Sequence, residues 1–590
     1  MSDSLLASTG PAATAVAPSA GIGQRRALFL ALCLATAGAM ATGFYAILAA
    51  GGWSWAEIAI FAVYLPTLPW TVIGFWNAFI GFLLLHVARD PLRQVLPAAA
   101  NVPAGDPITT RTAILFAVRH EELGPIEARI RVMLAELEAA GVADRFDVHV
   151  LSDSARAEST AAEEAMIARL AGVATRPGQI SYRRRTENSG FKAGNLREFY
   201  DRAGHSYDFT LPLDADSLMS AWAILRLVRV MQRNPRIGIL QSLVVGLPAE
   251  SFFTRVFQFG MRHGMRSYTM GSAWWQGDCG PYWGHNALIR SAAFTDHCRL
   301  PMLPGQAPLG GHVLSHDQVE AVLMRRAGFE VRVLPVEGGS WEENPPALPD
   351  FVKRDLRWCQ GNMQYFRLLG LPGLKGVSRL QLALAIQMYI GAPCWMAMVV
   401  LGAIQPFLPA QSAPPPTGLG LALFGAAIFM TFSPKIFGLL DVLMSQASRR
   451  DYGGTGRLLA GGLTDILFSC LVGPMMALCE TIFMLGLLFG RKVGWEAQKR
   501  DGYAVPLGEA LRGLWPQTLF GAAITAALAI GAPGALAFAA PFLMAMLLAA
   551  PFAVGTAAPA LGRLATRVGL CAIPDELRPE PAVAALRARL

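Results

Sequence analysis

The sequence is short of charge. Lys, Arg, Asp and Glu make up 16% of its 590 residues, where a soluble protein of this length carries about 25%. The shortage is uneven. Residues 108–379 hold 32 basic and 28 acidic side chains, an ordinary density for a water-facing domain, while the other 318 residues hold 18 and 14. With a mean hydropathy of +0.39, this excludes a uniform soluble globule, a disordered chain and a fibrous repeat. Long basic runs are missing as well. The longest is Arg183-Arg184-Arg185 and the net charge is +8, too little for a stripe that would follow a nucleic-acid backbone. The eight cysteines include no Cys-x-x-Cys pair, which argues against a disulfide framework and a zinc site.

Long apolar runs are what the sequence has instead. Candidate membrane helices fall at about 27–50, 57–88, 380–408, 418–443, 517–533 and 535–556, near or above the ~20 residues that a bilayer requires. Residues 1–24, rich in Ala, Ser and Pro, read as a disordered tail. The run after Arg25-Arg26 starts too deep and runs too long for a signal peptide. The chain divides into a hairpin at 25–90, a water-facing domain at 108–379, a hairpin at 380–445, a hairpin at 515–556 and a tail at 557–590. Pro66 and Pro69 predict a kink in the second run. Arg25, Arg26, Arg89 and Arg93 flank the first hairpin, whose Gly51–Trp55 turn is uncharged, and the QSAPPPTG turn of the second is uncharged too. Arg449, Arg450 and Arg457 lie on that hairpin's opposite side. The positive-inside rule then places both termini and the large domain of this multi-pass membrane protein in the cytoplasm.

Segment 458–490 is apolar but contains Asp465, Glu480 and a Gly473-Pro474 break, with basic residues at both ends. It reads as a re-entrant or interfacial helix pair, with a two-span hairpin as the alternative, keeping the number of full spans at six or eight.

The insert alternates strands and helices. Thr112–Val118, Phe146–Leu151, Phe209–Leu213 and Ile237–Gln241 read as strands, and 125–140, 195–203 and 221–232 as helices. That alternation predicts a mostly parallel, doubly wound sheet with its ligands at the carboxyl ends of the strands. Asp153 follows one strand, Asp214-Ala-Asp216 follows another, and Asp317 stands where a helix begins. Singly, such residues are turn formers and helix caps. An Asp-x-Asp at a strand end, however, offers two hard oxygen ligands on one face, suited to Mg²⁺ or Mn²⁺ with a nucleotide diphosphate. His312-x-x-x-His316 has helical metal spacing but no third ligand.

In order, Asp153, Asp214-x-Asp216, Asp317 and Arg357-Trp358 resemble the D, DxD, D and QxxRW motifs of family 2 inverting glycosyltransferases with the GT-A fold. YWGHNALIR (282–290), SHDQVEAVLMRRAGFE (315–330) and KRDLRWCQGN (353–362) narrow the resemblance. They look like the glucans biosynthesis glucosyltransferase H family, which makes osmoregulated periplasmic glucans. The resemblance implies a multi-span α-helical protein of the bacterial inner membrane, in contact with its lipid, with an inserted α/β GT-A domain. Its activity would be inverting, processive transfer from UDP-glucose to a growing glucan with a β-1,2 backbone, and a periplasmic glucan-biosynthesis protein is the partner it adds.

It further implies Asp317 as base, Asp153 and Asp214 on uridine and ribose, Asp216 with Asp214 on the metal, and Arg357 and Lys192 on the donor. Trp358 would meet the acceptor. Arg354 stands where the motif has Gln, so the Gln role does not carry over. His285 and Asn286 either hydrogen-bond the acceptor or hold their loop, and Gly194 either approaches the donor or belongs to a loop before the helix. Trp274, Trp275 and Trp341 either line a sugar path or pack as core.

An aspartate is ionised at neutral pH and only a weak base, which suffices when the sugar hydroxyl loses its proton late. The alternatives are a family 2 synthase of another polysaccharide or a lipid-linked sugar and, in a different class, a transporter with a regulatory nucleotide-binding domain. The spans show no internal repeat and few ionisable residues, which disfavours transport alone. Six or more spans exceed what an anchor needs, so they are expected to bundle around a path for the glucan, with 458–490 near its cytoplasmic mouth.

Overall fold

The computed structural model describes residues 21–409, 416–494 and 502–590. Most of the expected N-terminal tail and of the QSAPPPTG turn lies outside them. The chain opens with α1 (Ile22–Ala49), then α2 (Trp55–Tyr64) and α3 (Leu68–Val87), joined by a 3-10 turn at Leu65–Thr67. Pro66 and Pro69 remove two backbone donors there, and the helix tightens without stopping.

The inserted domain has ten strands. They are β1 (Thr112–Val118), β2 (Phe146–Ser152), β3 (Ile180–Arg184), β4 (Phe209–Leu213), β5 (Leu218–Met219), β6 (Ile237–Ser242), β7 (Val245–Gly246), β8 (Ala287–Arg290), β9 (Glu330–Leu334) and β10 (Ser340–Glu342). Seven form one sheet in the order β3-β2-β1-β4-β8-β6-β9; three form a small sheet, β5-β10-β7. The large sheet is parallel except at β8, which runs against both of its neighbours. In β1, Ile114 and Phe116 pack into one core and Ala113 and Leu115 into the other. A strand buried on both faces reads as a continuous apolar run, as TAILFAV does.

The domain's helices include α4 (Leu123–Ala139), α5 (Phe191–Ala203), α6 (Phe252–Gln276), α7 (His316–Arg326) and α8 (Leu348–Met363). Helix α5 starts four residues earlier than expected, so Gly194 lies in its first turn and not in a loop. A Cβ there would come within 2.0 Å of the Ser189 carbonyl oxygen, which accounts for the glycine by local packing. Helix α6 joins the domain to the membrane helices. Its Gly271 faces Asn77 of α3, and a Cβ added at Gly81 would stand 1.7 Å from the Ser267 carbonyl oxygen. Two backbones at that separation leave no room for side chains. The indole of Trp275 donates to Asn77 Oδ1 at 2.9 Å across the same contact.

The described residues that follow are mainly helical and include α9 (Gly376–Ile404), α10 (Thr417–Met444), α11 (Thr455–Leu488), α12 (Leu507–Gly531), α13 (Leu536–Leu547), α14 (Ala549–Ala557) and α15 (Pro581–Arg587). Among the described residues, six helices are long and apolar enough to cross a membrane: α1, α2–α3, α9, α10, α11 and α12. Helices α13 and α14 meet at 61° and would make a seventh as one broken span.

Two expectations are corrected here. Segment 458–490 is neither a helix pair nor a hairpin but one uninterrupted helix, α11. Pro474 removes a single donor, whereas a full break in apolar surroundings would strand several backbone groups. Asp465, which suggested an interruption, is held by Lys435 at 2.6 Å and His263 at 3.3 Å. Both ends of α11 rest on the α/β domain: Gly461 meets Phe259 near the start, while Phe483 and Leu487 pack with Cys359 and Met363 near the end. The last apolar segment is the broken one. Pro551 lacks the donor that would reach Leu547, and the helix bends at Leu548.

Candidate active site

The turn after β4 carries Asp214 and Asp216, and Ser217 closes it by donating its backbone N–H to the Asp214 carbonyl at 3.0 Å. The two acids line a cavity of about 290 Å³ with Asp153, Lys192, His285, Asp317, Arg357 and Trp358. Strand ends from β2 and β4, the first turns of α5 and α7, and the middle of α8 therefore converge. Eight of the nine residues expected from sequence line this cavity, and Asn286 does not.

Asn286 is fully buried with φ of 51°. Its side chain donates to Ser340 Oγ at 2.9 Å and to the Trp341 carbonyl at 3.2 Å. It ties the large sheet to the small one, so its acceptor-binding alternative is withdrawn. Trp341 likewise packs as core, with no exposed surface.

Asp153 and Arg185 form a two-pronged ion pair at 2.6 and 2.8 Å, both side chains only 6% exposed. Such bidentate pairing fixes orientation. The ammonium of Lys192 donates to Asp214 and to the Gly284 carbonyl at 3.0 Å. Asp317 stands in the first turn of α7, where the helix N-terminus favours a negative charge. Beside it, the imidazole of His316 lies 2.8 Å from Glu320. Burial alone would lower the His316 pKa, but the Glu320 carboxylate outweighs that and raises it.

Several lining residues were missed from sequence, Glu121, Trp283 and Glu342 among them. Glu342, on β10, approaches His285 Nε2 at 3.3 Å. Burial pushes its carboxyl above the usual range, and the charges of Asp216 and Asp214 add to the rise. Arg354 also lines the cavity, its guanidinium carbon 4.9 Å from the Trp358 ring centre. Burial lowers the pKa of Arg354, and burial followed by Arg354 lowers that of Arg357. Trp283 lies inside the YWGHNALIR motif, and Glu342 carried a weaker signal, as an acid just before a QxxRW-like helix. That signal is too common to single it out.

A second cavity of about 470 Å³ adjoins the first and is walled by α3, α6 and α9. Trp283, His285, Ser315, Asp317, Glu342 and Trp358 line both. Trp275 lines the second one, Trp274 does not, and no residue of α11 lines either. Among the described residues no cluster of three His, Cys, Asp or Glu side chains placed to hold a metal occurs.

A family model described as glycosyl transferase family group 2 matches residues 209–432. The glucans biosynthesis glucosyltransferase H of Xanthomonas campestris pv. campestris is 33% identical over 573 residues, covering 95% of this chain and 88% of that protein. The protein of the same name from Caulobacter vibrioides is 35% identical over 555 residues, covering 91% and 82%. That from Bradyrhizobium diazoefficiens is 36% identical over 494 residues, covering 81% of this chain but only 65% of its own length. Among solved structures, a mannosyltransferase from Pyrobaculum calidifontis in complex with GDP-Man and Mn²⁺ aligns with a TM-score of 0.39 and 15% identity, over 62% of this chain and 97% of that one.

Proposed function

This chain belongs to the glucans biosynthesis glucosyltransferase H family, and from that premise we propose that it polymerises glucose from UDP-glucose, with inversion, into the β-1,2-linked backbone of a periplasmic glucan. It is a glycosyltransferase whose GT-A domain is inserted between membrane helices. The reading rests on one observation above the others: the strand-end acids and the Arg357-Trp358 helix turn share a cavity that adjoins a second one, with Asp317 lining both, and α3 and α9, two candidate membrane helices, wall the second.

Asp317 takes the proton of the acceptor hydroxyl as its oxygen bonds to the anomeric carbon. Asp153, fixed by Arg185, faces the nucleoside, and Lys192 and Arg357 carry positive charge toward the leaving diphosphate. Asp214 and Asp216 suit a hard divalent cation, Mg²⁺ or Mn²⁺, because two carboxylates on one turn leave the remaining positions to phosphate and water. When bound, the cation offsets the charge that grows on the diphosphate. Trp358, 49% exposed, offers a flat face to a sugar ring.

In the proposed topology α11 lies along the base of the domain and six segments cross: α1, α2–α3, α9, α10, α12 and α13–α14. The start of α1 touches the domain through Arg26 and Asp278 at 2.6 Å, and the C-terminal segment touches it through Asp575. Both therefore share its side, which the positive-inside rule makes the cytoplasm. The glucan leaves by the second cavity. Its mouth is formed by α3, α6 and α9, in place of the expected 458–490 segment. Purified enzyme in sealed vesicles, domain outward, supplied with UDP-glucose and Mg²⁺, should accumulate polymer protected inside. Active enzyme that leaves all polymer outside overturns the export path, and absence of any polymer overturns the reaction.

A further inference from the structure

Two acids interrupt the apolar run of α11. Asp465 is met by Lys435 and His263. Glu480 is met by another acid, Asp355 of α8, and the two carboxyls share a side-chain hydrogen bond. Tyr389 of α9 donates its hydroxyl to Asp355 Oδ1 at 3.4 Å. Among the described residues Asp355 Oδ2 is the one buried carboxylate oxygen that no amide, hydroxyl or cationic donor reaches. Ionised carboxylates only accept, so a hydrogen bond between two of them exists only while one keeps its proton. Burial pushes the Asp355 carboxyl above the usual range, and two like charges at contact cannot both ionise.

The pair stands at one end of an apolar seam. Asp355, Cys359 and Met363 recur at four-residue steps and form one stripe of α8. Phe483 and Leu487 follow Glu480 on α11 and pack against Cys359 and Met363. At helical spacing Arg354, Arg357 and Trp358 leave α8 on the side away from that stripe, and all three line the first cavity. Where α8 rests on α11 therefore sets where Arg357 and Trp358 stand. The groups that face the pair are Arg354 and Cys359 of α8, Tyr389 of α9 and Cys479 of α11, with Gln517 of α12 and Arg491 beside Cys479. A polar contact inside an apolar seam costs stability, and its best-attested use is to fix register.

We propose that Asp355 and Glu480 are positioning residues that hold one proton between them, and that this proton fixes α8 on α11 and with it Arg357 and Trp358 in the cavity. The consequence for Arg357 and Trp358 rests on the glucosyltransferase reading of the site; the shared proton does not. Loss of the proton leaves two carboxylates in contact, and their repulsion parts the polar end of the seam. The folded chain keeps a proton that the unfolded chain gives up within the ordinary carboxylate range. The contribution of the pair is thus complete at low pH and is lost as pH rises.

The test compares wild type with Glu480→Gln, as full chains in lipid nanodiscs, between pH 6 and 9.5. The glutamine amide donates to Asp355 at every pH, so it replaces the proton with a permanent donor. With saturating UDP-glucose and Mg²⁺, the wild-type polymerisation rate should fall roughly fivefold or more between pH 7 and 9, and that of Glu480→Gln less than about twofold. The thermal midpoint of wild type should fall over the same interval by more than that of the variant. Asp355→Asn, whose amide donates to Glu480, should behave in the same way and decides the matter if Glu480→Gln does not fold. Parallel rate profiles overturn the positioning role. Parallel midpoint profiles overturn the shared proton. Wild-type enzyme that releases no UDP from UDP-glucose at any pH would instead fail the underlying reaction, and the midpoint comparison still decides the proton.

Discussion

Asp317 and Asp216 line one cavity, yet their removal should read out differently. Asp317→Asn keeps size and polarity but cannot take the hydroxyl proton, so transfer should fall by about 10²-fold or more while UDP affinity stays near wild type. Equal losses of affinity and rate would move Asp317 to the donor site. Asp216→Ala removes a hard ligand, so activity should vanish, and excess chelator should reproduce this in wild-type enzyme. Full activity in chelator would refute the metal. These acids were legible because each follows an apolar strand or opens a helix, and strand-end positions converge in any parallel sheet. Glu342 was not, since its meeting with His285 spans 57 positions of sequence and depends on a three-stranded sheet of very short strands. Asn286 misled because a polar residue inside a conspicuous motif looks available, while the bonds it makes, to Ser340 and Trp341, are visible only when the two sheets are set side by side.

Elements carry two further expectations. Helices α3 and α6 approach so closely that even a methyl group at Gly81 would collide with the Ser267 carbonyl. Gly81→Ala should therefore part them and cost about 3 kcal/mol, within the range for overpacking. Thermal unfolding of the nanodisc-embedded enzyme measures this, and an unaltered midpoint would contradict the contact.

The second expectation concerns His149 on β2, whose pKa burial lowers to about 4. Between an unfolded value near ~6.5 and that depressed value, the unfolded chain takes up a proton that the folded one refuses. The His149 contribution is thus complete above about pH 6.5 and is lost as pH falls toward 4, in total about 3 kcal/mol. His149→Asn should flatten the pH dependence of unfolding across that window, and an unchanged slope would remove His149 as its source. Strands and amphipathic helices were readable from periodicity. The continuity of α11 was not, because Asp465 reads as a break until Lys435 and His263, on two other helices, are brought to it.

At the scale of the whole molecule, the segment after the last membrane helices returns to the α/β domain. Asp575, 1% exposed, accepts from the Trp341 indole at 3.0 Å and pairs with Arg262 at 2.7 Å. Glu576 pairs with Arg255 at 2.8 Å, and Ala582, Val583 and Leu586 of α15 join the core that contains β1. Asp575→Ala leaves a buried guanidinium and a buried indole N–H short of a partner, and should cost about 3 kcal/mol or more. Protease resistance of the domain in membranes reports it, and a variant as resistant as wild type would show the clasp to be dispensable. Sequence presented this region only as a cytoplasmic tail at 557–590, since its partners lie more than 200 residues earlier.

That clasp sets an order of events during synthesis. Residue 342 leaves the ribosome more than 200 residues before Asp575 does, an interval on the order of tens of seconds at typical elongation rates. Through that interval every later membrane helix is made while the domain lacks one wall of its core and the partner of Trp341. Asp575 can therefore close on the strand that bears Glu342 only after the helices around the second cavity have been made.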